Sequence, residues 1–152
     1  MSLEIRTYTK DDKEKLLNII SLNVPEYFAE SEIEDYNLYL EHEVEDYFVV
    51  VEEGEMVGAG GINYKLHEGT AYISWDVIHP AYQNRGIGRN LLNYRINLIS
   101  DNRNINKTVV RTSQLVYRFY EKNGFVLKEI HHDYWAKGYD MYYMIYEPLP
   151  NG

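Results

Sequence analysis

The chain contains no cysteine, which excludes disulfides, thiolate metal sites and a cysteine nucleophile together. It has no apolar run near the roughly 18 to 20 residues that a membrane span requires. Its first residues lack the charged and apolar sections of a signal peptide. A soluble, cytoplasmic protein is therefore expected. Internal repeats, low-complexity tracts and linkers are also missing, so the 152 residues read as one domain, 1–152, long enough to bury a core of its own. Basic residues are scarce in one place. Residues 1–55 hold 16 acidic and 4 basic side chains, a balance of −12, whereas residues 56–152 hold 8 acidic and 11 basic, a balance of +3. An N-terminal third without clustered Lys and Arg is a poor partner for phosphates, so nucleic-acid binding through it is not expected.

Periodicity supplies the elements. Leu3 to Tyr8 reads as a strand, and Thr9-Lys10-Asp11-Asp12 as a capping box that opens a helix through Leu16, Leu17 and Ile20. Pro25 closes that helix or its loop. Ser31-Glu32-Ile33-Glu34 reads as a second capping box, before a helix on Ile33, Tyr36, Leu40 and Val44. Strands follow at 47–51, 56–65 and 71–78, with turns at Glu53-Gly54 and Glu68-Gly69. A helical stripe runs from Ile87 to the polar segment 101–106. A short strand at 107–112 precedes a helix capped by Ser113 and terminated by Gly124. Two last strands, 125–135 and 139–146, meet at Lys137-Gly138. The order βααβββαβαββ makes an α/β domain with a mixed, mostly antiparallel sheet flanked by helices.

The chemistry concentrates where the third helix begins. Ile78-His79-Pro80 is followed by Gln83-Asn84-Arg85-Gly86-Ile87-Gly88, a glycine-bearing passage from strand to helix. Such a turn leaves backbone N–H groups unpaired and adds the positive end of the helix dipole, so an anion fits there. A dinucleotide fingerprint would need a third glycine where Leu91 stands, and a P-loop would need Gly-Lys-Ser/Thr. Neither is present. The segment IHPAYQNRGIGRNLL resembles the acyl-CoA-binding motif of the GNAT superfamily of N-acetyltransferases, and FYEKNGF, residues 119–125, resembles that family's next motif.

The resemblance implies the fold just described, acetyl-CoA as co-substrate and no metal. It maps the pyrophosphate loop onto Gln83, Asn84, Arg85, Gly86, Ile87 and Gly88, continued by Arg89, with contacts chiefly from backbone N–H groups. Arg85 either adds a charge-assisted contact or is a solvated turn residue. Ile78 takes the place of the residue whose backbone N–H holds the thioester oxygen. Tyr120 matches the tyrosine that protonates the departing thiolate, and Ser113 stands where many relatives carry asparagine. The general base of the family often lies on the strand before the loop. There Tyr72, Ser74 and Asp76 share the expected polar face, opposite Ala71, Ile73, Trp75 and Val77, and Asp76 is the only strong acceptor, as base or as structural carboxylate.

Other residues are weaker candidates. His131 and His132 adjoin on one strand and point to opposite faces, a poor basis for a metal site. Gly58, Gly60 and Gly61 mark a bulge or a close approach, the bulge being preferred. The function expected is acetyl transfer from acetyl-CoA to a primary amine, the alternative being a catalytically silent CoA-binding sensor or assembly module. The acidic N-terminal third, with Glu26, Glu30, Glu32, Glu34 and Asp35 around the loop between the first two helices, suggests a cationic acceptor. Expected partners are a small-molecule amine or a peptide acceptor, with no nucleic acid and no membrane; a homodimer remains open.

Overall fold

The computed structural model describes residues 3–149. Its elements are β1 (Leu3–Thr7), α1 (Lys13–Ser21), α2 (Ser31–His42), β2 (Asp46–Glu52), β3 (Glu55–Lys65), β4 (Thr70–Ile78), α3 (Ile87–Ser100), β5 (Lys107–Thr112), α4 (Tyr117–Lys122), β6 (Phe125–Ala136) and β7 (Tyr139–Tyr146). The order is the one read from periodicity. The strands form one sheet in the order β1-β2-β3-β4-β5-β7-β6, antiparallel throughout except for the β4–β5 pair.

The sheet is covered on both faces. Phe48 and Val50 of β2 join Leu91, Leu92 and Ile99 of α3 in one core cluster, while Tyr47 and Val49 of the same strand join Leu16, Ile20, Tyr36 and Leu40 from α1 and α2 in the other. This explains why β2 is almost continuously apolar, since a strand buried on both faces cannot alternate. Each such side chain, fully withdrawn from water, contributes about 1.5–3 kcal/mol.

Two irregularities of β4 shape the molecule. Its parallel pairing with β5 covers only Thr70–Ile73 against Lys107–Val110. Beyond that point Arg111 and Thr112 of β5 pair with β7, β4 continues with β3 alone, and the two strands separate. The β3–β4 register also slips, from Ala59↔Val77 to Gly61↔Ser74. Trp75 and Asp76 therefore stand opposite Gly60 alone, and Trp75 takes a positive φ of 47°.

This bulge corrects the face assignment made from simple alternation. An extra residue reverses which side chains point which way. Ala71 and Ile73 belong to the α3-side cluster, whereas Trp75 and Val77 pack on the α1/α2 side. Asp76 is thus carried to the face opposite Tyr72 and Ser74. The expected bulge exists, but its extra residue lies in β4 and the glycine opposes it.

The helix ends required two further corrections. Asp12 does accept the Thr9 N–H at 2.9 Å, and the same carboxylate pairs with Arg6. Ser31, however, makes no capping bond. Glu32 reaches back instead to the Ala29 N–H at 2.8 Å, because the chain is already helical at Glu30. Ser113 caps a preliminary turn, its Oγ accepting from Leu115 N–H at 3.2 Å, and α4 itself starts only at Tyr117. Gly124 follows α4 at φ 98°, in the left-handed region that permits the chain to leave a helix.

Candidate active site

The separation of β4 from β5 opens a cleft of about 1030 Å³. It is bounded by the β4–α3 loop and α4 at one end and by the α1–α2 loop and the β6–β7 hairpin at the other. Asp76, Ile78, Gln83, Asn84, Gly86, Ile87, Gly88, Arg89, Ser113 and Tyr120 all line it. One expected residue does not. The Arg85 guanidinium pairs with the buried Glu52 carboxylate at 3.3 Å and lies over the Tyr82 ring, so its side chain belongs to the structure of the loop.

The loop is built to present backbone. Pro80–Tyr82 makes a short 3-10 turn whose Ala81 N–H is held by His79 Nδ1. Asn84 and Gly86 then adopt φ values of 64° and 82°. Gly86 O accepts the first intrahelical bond, from Asn90 N–H at 3.0 Å, which leaves the N–H groups of the preceding residues without helical partners. A Cβ at Gly88 would lie only 3.3 Å from the Phe119 ring. Gly86 has open space around it, and its glycine is required by φ instead.

Ile78 ends β4, beyond the last residue of that strand paired with β5. The His79 N–H bonds to Val57 O of β3 at 2.8 Å, and successive N–H groups of a strand alternate in direction. The Ile78 N–H accordingly faces the gap. Ile78 O on the same side accepts from Asn23 Nδ2 at 3.1 Å, and Asn23 Oδ1 accepts from Gln83 Nε2 at 3.3 Å. Asn23, 2% exposed, ties α1 to both the strand end and the loop. Sequence reading passed over it.

At the floor of the cleft three elements bring charge together. Tyr120 of α4 donates its hydroxyl to Asp76 Oδ2 at 2.5 Å, and Arg95 of α3 sets Nη1 2.7 Å from Asp76 Oδ1. Burial, and then the adjacent Asp76 charge, push the Tyr120 phenol well above its ordinary range. Arg95 is completely buried and also went unnoticed in the sequence. The signal was available: Arg95 is four residues from both Leu91 and Ile99, a core position on the helical stripe.

The end of the cleft beside α2 is aromatic. Phe28 and Trp75 stack with ring centroids 6.3 Å apart, and Tyr36 and Tyr39 lie against the same indole. Tyr139 donates its hydroxyl to Pro25 O at 2.7 Å, joining the β6–β7 hairpin to the α1–α2 loop across the opening. Of the five acidic residues expected around that loop, only Glu32 lines the cleft; burial raises its carboxyl above the usual range. Glu26, Glu30, Glu34 and Asp35 are exposed elsewhere. Glu43 and Glu45 supply two further carboxylates from the end of α2 and the loop after it. His131 pairs with Glu129 and His132 with Asp140, and no group of three metal-ligating side chains occurs among the described residues. No helix there is long and apolar enough to cross a membrane.

The element order and the glycine-bearing helix start are those that the resemblance to the N-acetyltransferase superfamily implies. The model of the acetyltransferase (GNAT) family matches residues 14–125, and the chain belongs to that family; it is an acetyl-CoA-dependent acyltransferase. No curated protein sequence matches it significantly. Its fold is that of solved structures of low sequence identity. Ribosomal-protein-S18-alanine N-acetyltransferase from Escherichia coli is 17% identical, with a TM-score of 0.77 over 99% of this chain and 98% of that one. Ard1 from Thermoplasma volcanium is 23% identical, with a TM-score of 0.77 over 99% and 100%. An aminoglycoside 6'-N-acetyltransferase complexed with coenzyme A is 18% identical, with a TM-score of 0.70 over 97% and 99%.

Proposed function

We propose that this protein transfers an acetyl group from acetyl-CoA to a primary amine by direct attack on the thioester. The carrying observation is the convergence, in one cleft, of unpartnered helix-start N–H groups, the gap-facing Ile78 N–H and the Tyr120 hydroxyl. The first suit the pyrophosphate. The second suits the oxyanion that develops on the thioester carbonyl, and the third the sulfur that leaves. Acetyl-CoA extends from the α3 loop along the separated strand β4, and the amine arrives from the aromatic end. Holding the two reactants in line is itself a large part of the catalysis. Asp76 is the candidate acceptor for the amine's proton.

The acceptor we favour is a cationic small-molecule amine or a peptide N-terminus. Aromatic faces attract an ammonium group, and Glu32, Glu43 and Glu45 add negative charge at that end. One observation favours the alternative, a CoA-binding module without turnover: at rest the Tyr120 proton is engaged by Asp76. Measuring CoA release against a broad amine panel separates the two. Turnover with any amine establishes transfer, whereas tight acetyl-CoA binding with no released CoA across the panel refutes it. Binding is read independently from the thermal midpoint, since a ligand at 100 times its Kd stabilises by about 2.7 kcal/mol.

A further inference from the structure

Arg95 is the least expected side chain in the molecule, a guanidinium with no exposed surface inside the cluster of Leu91, Leu92 and Ile99. Its donors are unevenly satisfied. Nε donates to Leu91 O at 3.2 Å and Nη1 to Gly61 O at 3.1 Å. Nη1 is also 2.7 Å from Asp76 Oδ1, an ion pair at an angle poor for a hydrogen bond. Asp76 Oδ1 and Arg95 Nη2 have no hydrogen-bond partner among the described residues. Burying ions with incomplete hydrogen bonding is costly, and apolar residues of similar size would be expected to hold a core at least as well. The structure also makes room for it. A Cβ at Gly60 would collide with Asp76 Oδ1 and Arg95 Nη1, so the absence of a side chain at Gly60 admits the ion pair.

A phenol has a single proton. While Tyr120 donates to the Asp76 carboxylate, that proton is not available to any other acceptor. Tyr120 can turn its hydrogen toward a sulfur only when Asp76 carries a proton and becomes the donor. The base and the acid are therefore the two ends of one hydrogen bond. Arg95 faces Asp76 from α3 and Tyr120 from α4. Tyr36 of α2 and Tyr47 of β2 also feel the Asp76 charge, and both phenols are held neutral by complete burial.

We propose that Asp76 and Tyr120 work as one proton relay, with Arg95 as the residue that positions it. As the amine nitrogen bonds to the thioester carbon, the C–S bond breaks and sulfur departs with its electron pair. Asp76 takes the proton shed by the nitrogen, directly or through water. Tyr120 gives its own proton to the sulfur and regains one from Asp76. One proton moves from nitrogen to sulfur, and all three side chains return to their starting state. Arg95, with Nη1 2.7 Å from Asp76 Oδ1, holds the carboxylate where the Tyr120 hydroxyl reaches it, which is the positioning that the relay requires.

This relay rests on the acetyl-transfer reading, and the test separates the two. Arg95→Met alone strands a buried carboxylate and is at risk of misfolding, so the decisive variant is Arg95→Met combined with Asp76→Asn. It removes both charges and keeps a side-chain oxygen to accept from Tyr120. The expected result is a recovered thermal midpoint and acetyl-CoA affinity with kcat still reduced about 100-fold or more, the size of a lost acid–base contribution, at every pH tested. Recovery of kcat along with stability overturns the relay, because the pair would then be packing alone. A second readout needs no turnover. With 13C-labelled tyrosine, the Tyr120 ring resonance is expected to titrate at lower pH in Asp76→Asn than in the native protein, and an unmoved titration overturns the coupling. Turnover without that coupling sinks the relay alone. Coupling with no turnover on any amine sinks the acetyl-transfer reading and the relay with it.

Discussion

The two ends of the cleft are made differently. At the α3 end Arg89, Arg118 and Lys122 line the wall with no carboxylate among them, and the glycines of residues 86–88 turn backbone toward the space. At the α2 end the wall is side chain: Phe28, Tyr39, Trp75, Trp135 and Tyr139, with Glu32, Glu43 and Glu45. A backbone site holds a ligand common to a whole family, because N–H groups are available whatever the side chains are. A side-chain site can change its ligand with each substitution. Glu32, Glu43 and Glu45 all come from the −12 portion of the sequence, yet most of the acidic charge of that portion lies outside the cleft. Net charge by segment thus overstated the field that an acceptor meets.

The sharpest way to break the comparison is at the glycines. Gly88→Val forces a branched side chain into the Phe119 ring, and Gly86→Val must hold φ near 82°. Either change is expected to weaken acetyl-CoA affinity about 100-fold, a cost near 2.7 kcal/mol, measured by calorimetry on protein shown to be folded. Retained affinity would locate the phosphates elsewhere. Tyr120→Phe should lower kcat by about 10- to 1000-fold with acetyl-CoA affinity nearly unchanged, since the ring stays and the proton leaves. An unaltered kcat, with chemistry shown to be rate-limiting, would remove Tyr120 from the mechanism.

Smaller effects sharpen the account of the α2 end. Matched cationic and neutral amines, compared at low and high salt, should differ several-fold in kcat/KM at low salt, an advantage that salt removes. If it is absent, the carboxylates do not select the acceptor. Far from the cleft, Asp12→Asn is expected to cost about 1 kcal/mol, the usual value of a lost cap. The Arg6 hydrogen bonds hold the Asp12 carboxyl below its ordinary range. Its contribution is therefore complete above the unfolded-state value near 4 and fades as the pH falls through the folded-state value. Thermal midpoints of native and variant protein should converge in that acid range, and a constant gap would contradict the assignment.

Much of this was legible in the chain. Element order followed from apolar period together with cap and turn residues, because each helix and strand buries a face of regular spacing and ends at a local signal. The glycine-bearing helix start was legible because positive φ and close approach demand glycine. Local chemistry misled where a neighbour intervened: Ser31 was passed over as a cap once the chain had turned helical at Glu30, and Arg85 was taken by Glu52. Only the tertiary structure decided the rest. The bulge in β4, a product of its pairing with β3, moves Asp76 to the face where α3 and α4 bring Arg95 and Tyr120. These three lie at positions 76, 95 and 120, and no spacing links them. What joins them is a register slip, a glycine with no side chain in the way and the separation of two strands, none of which a period can express.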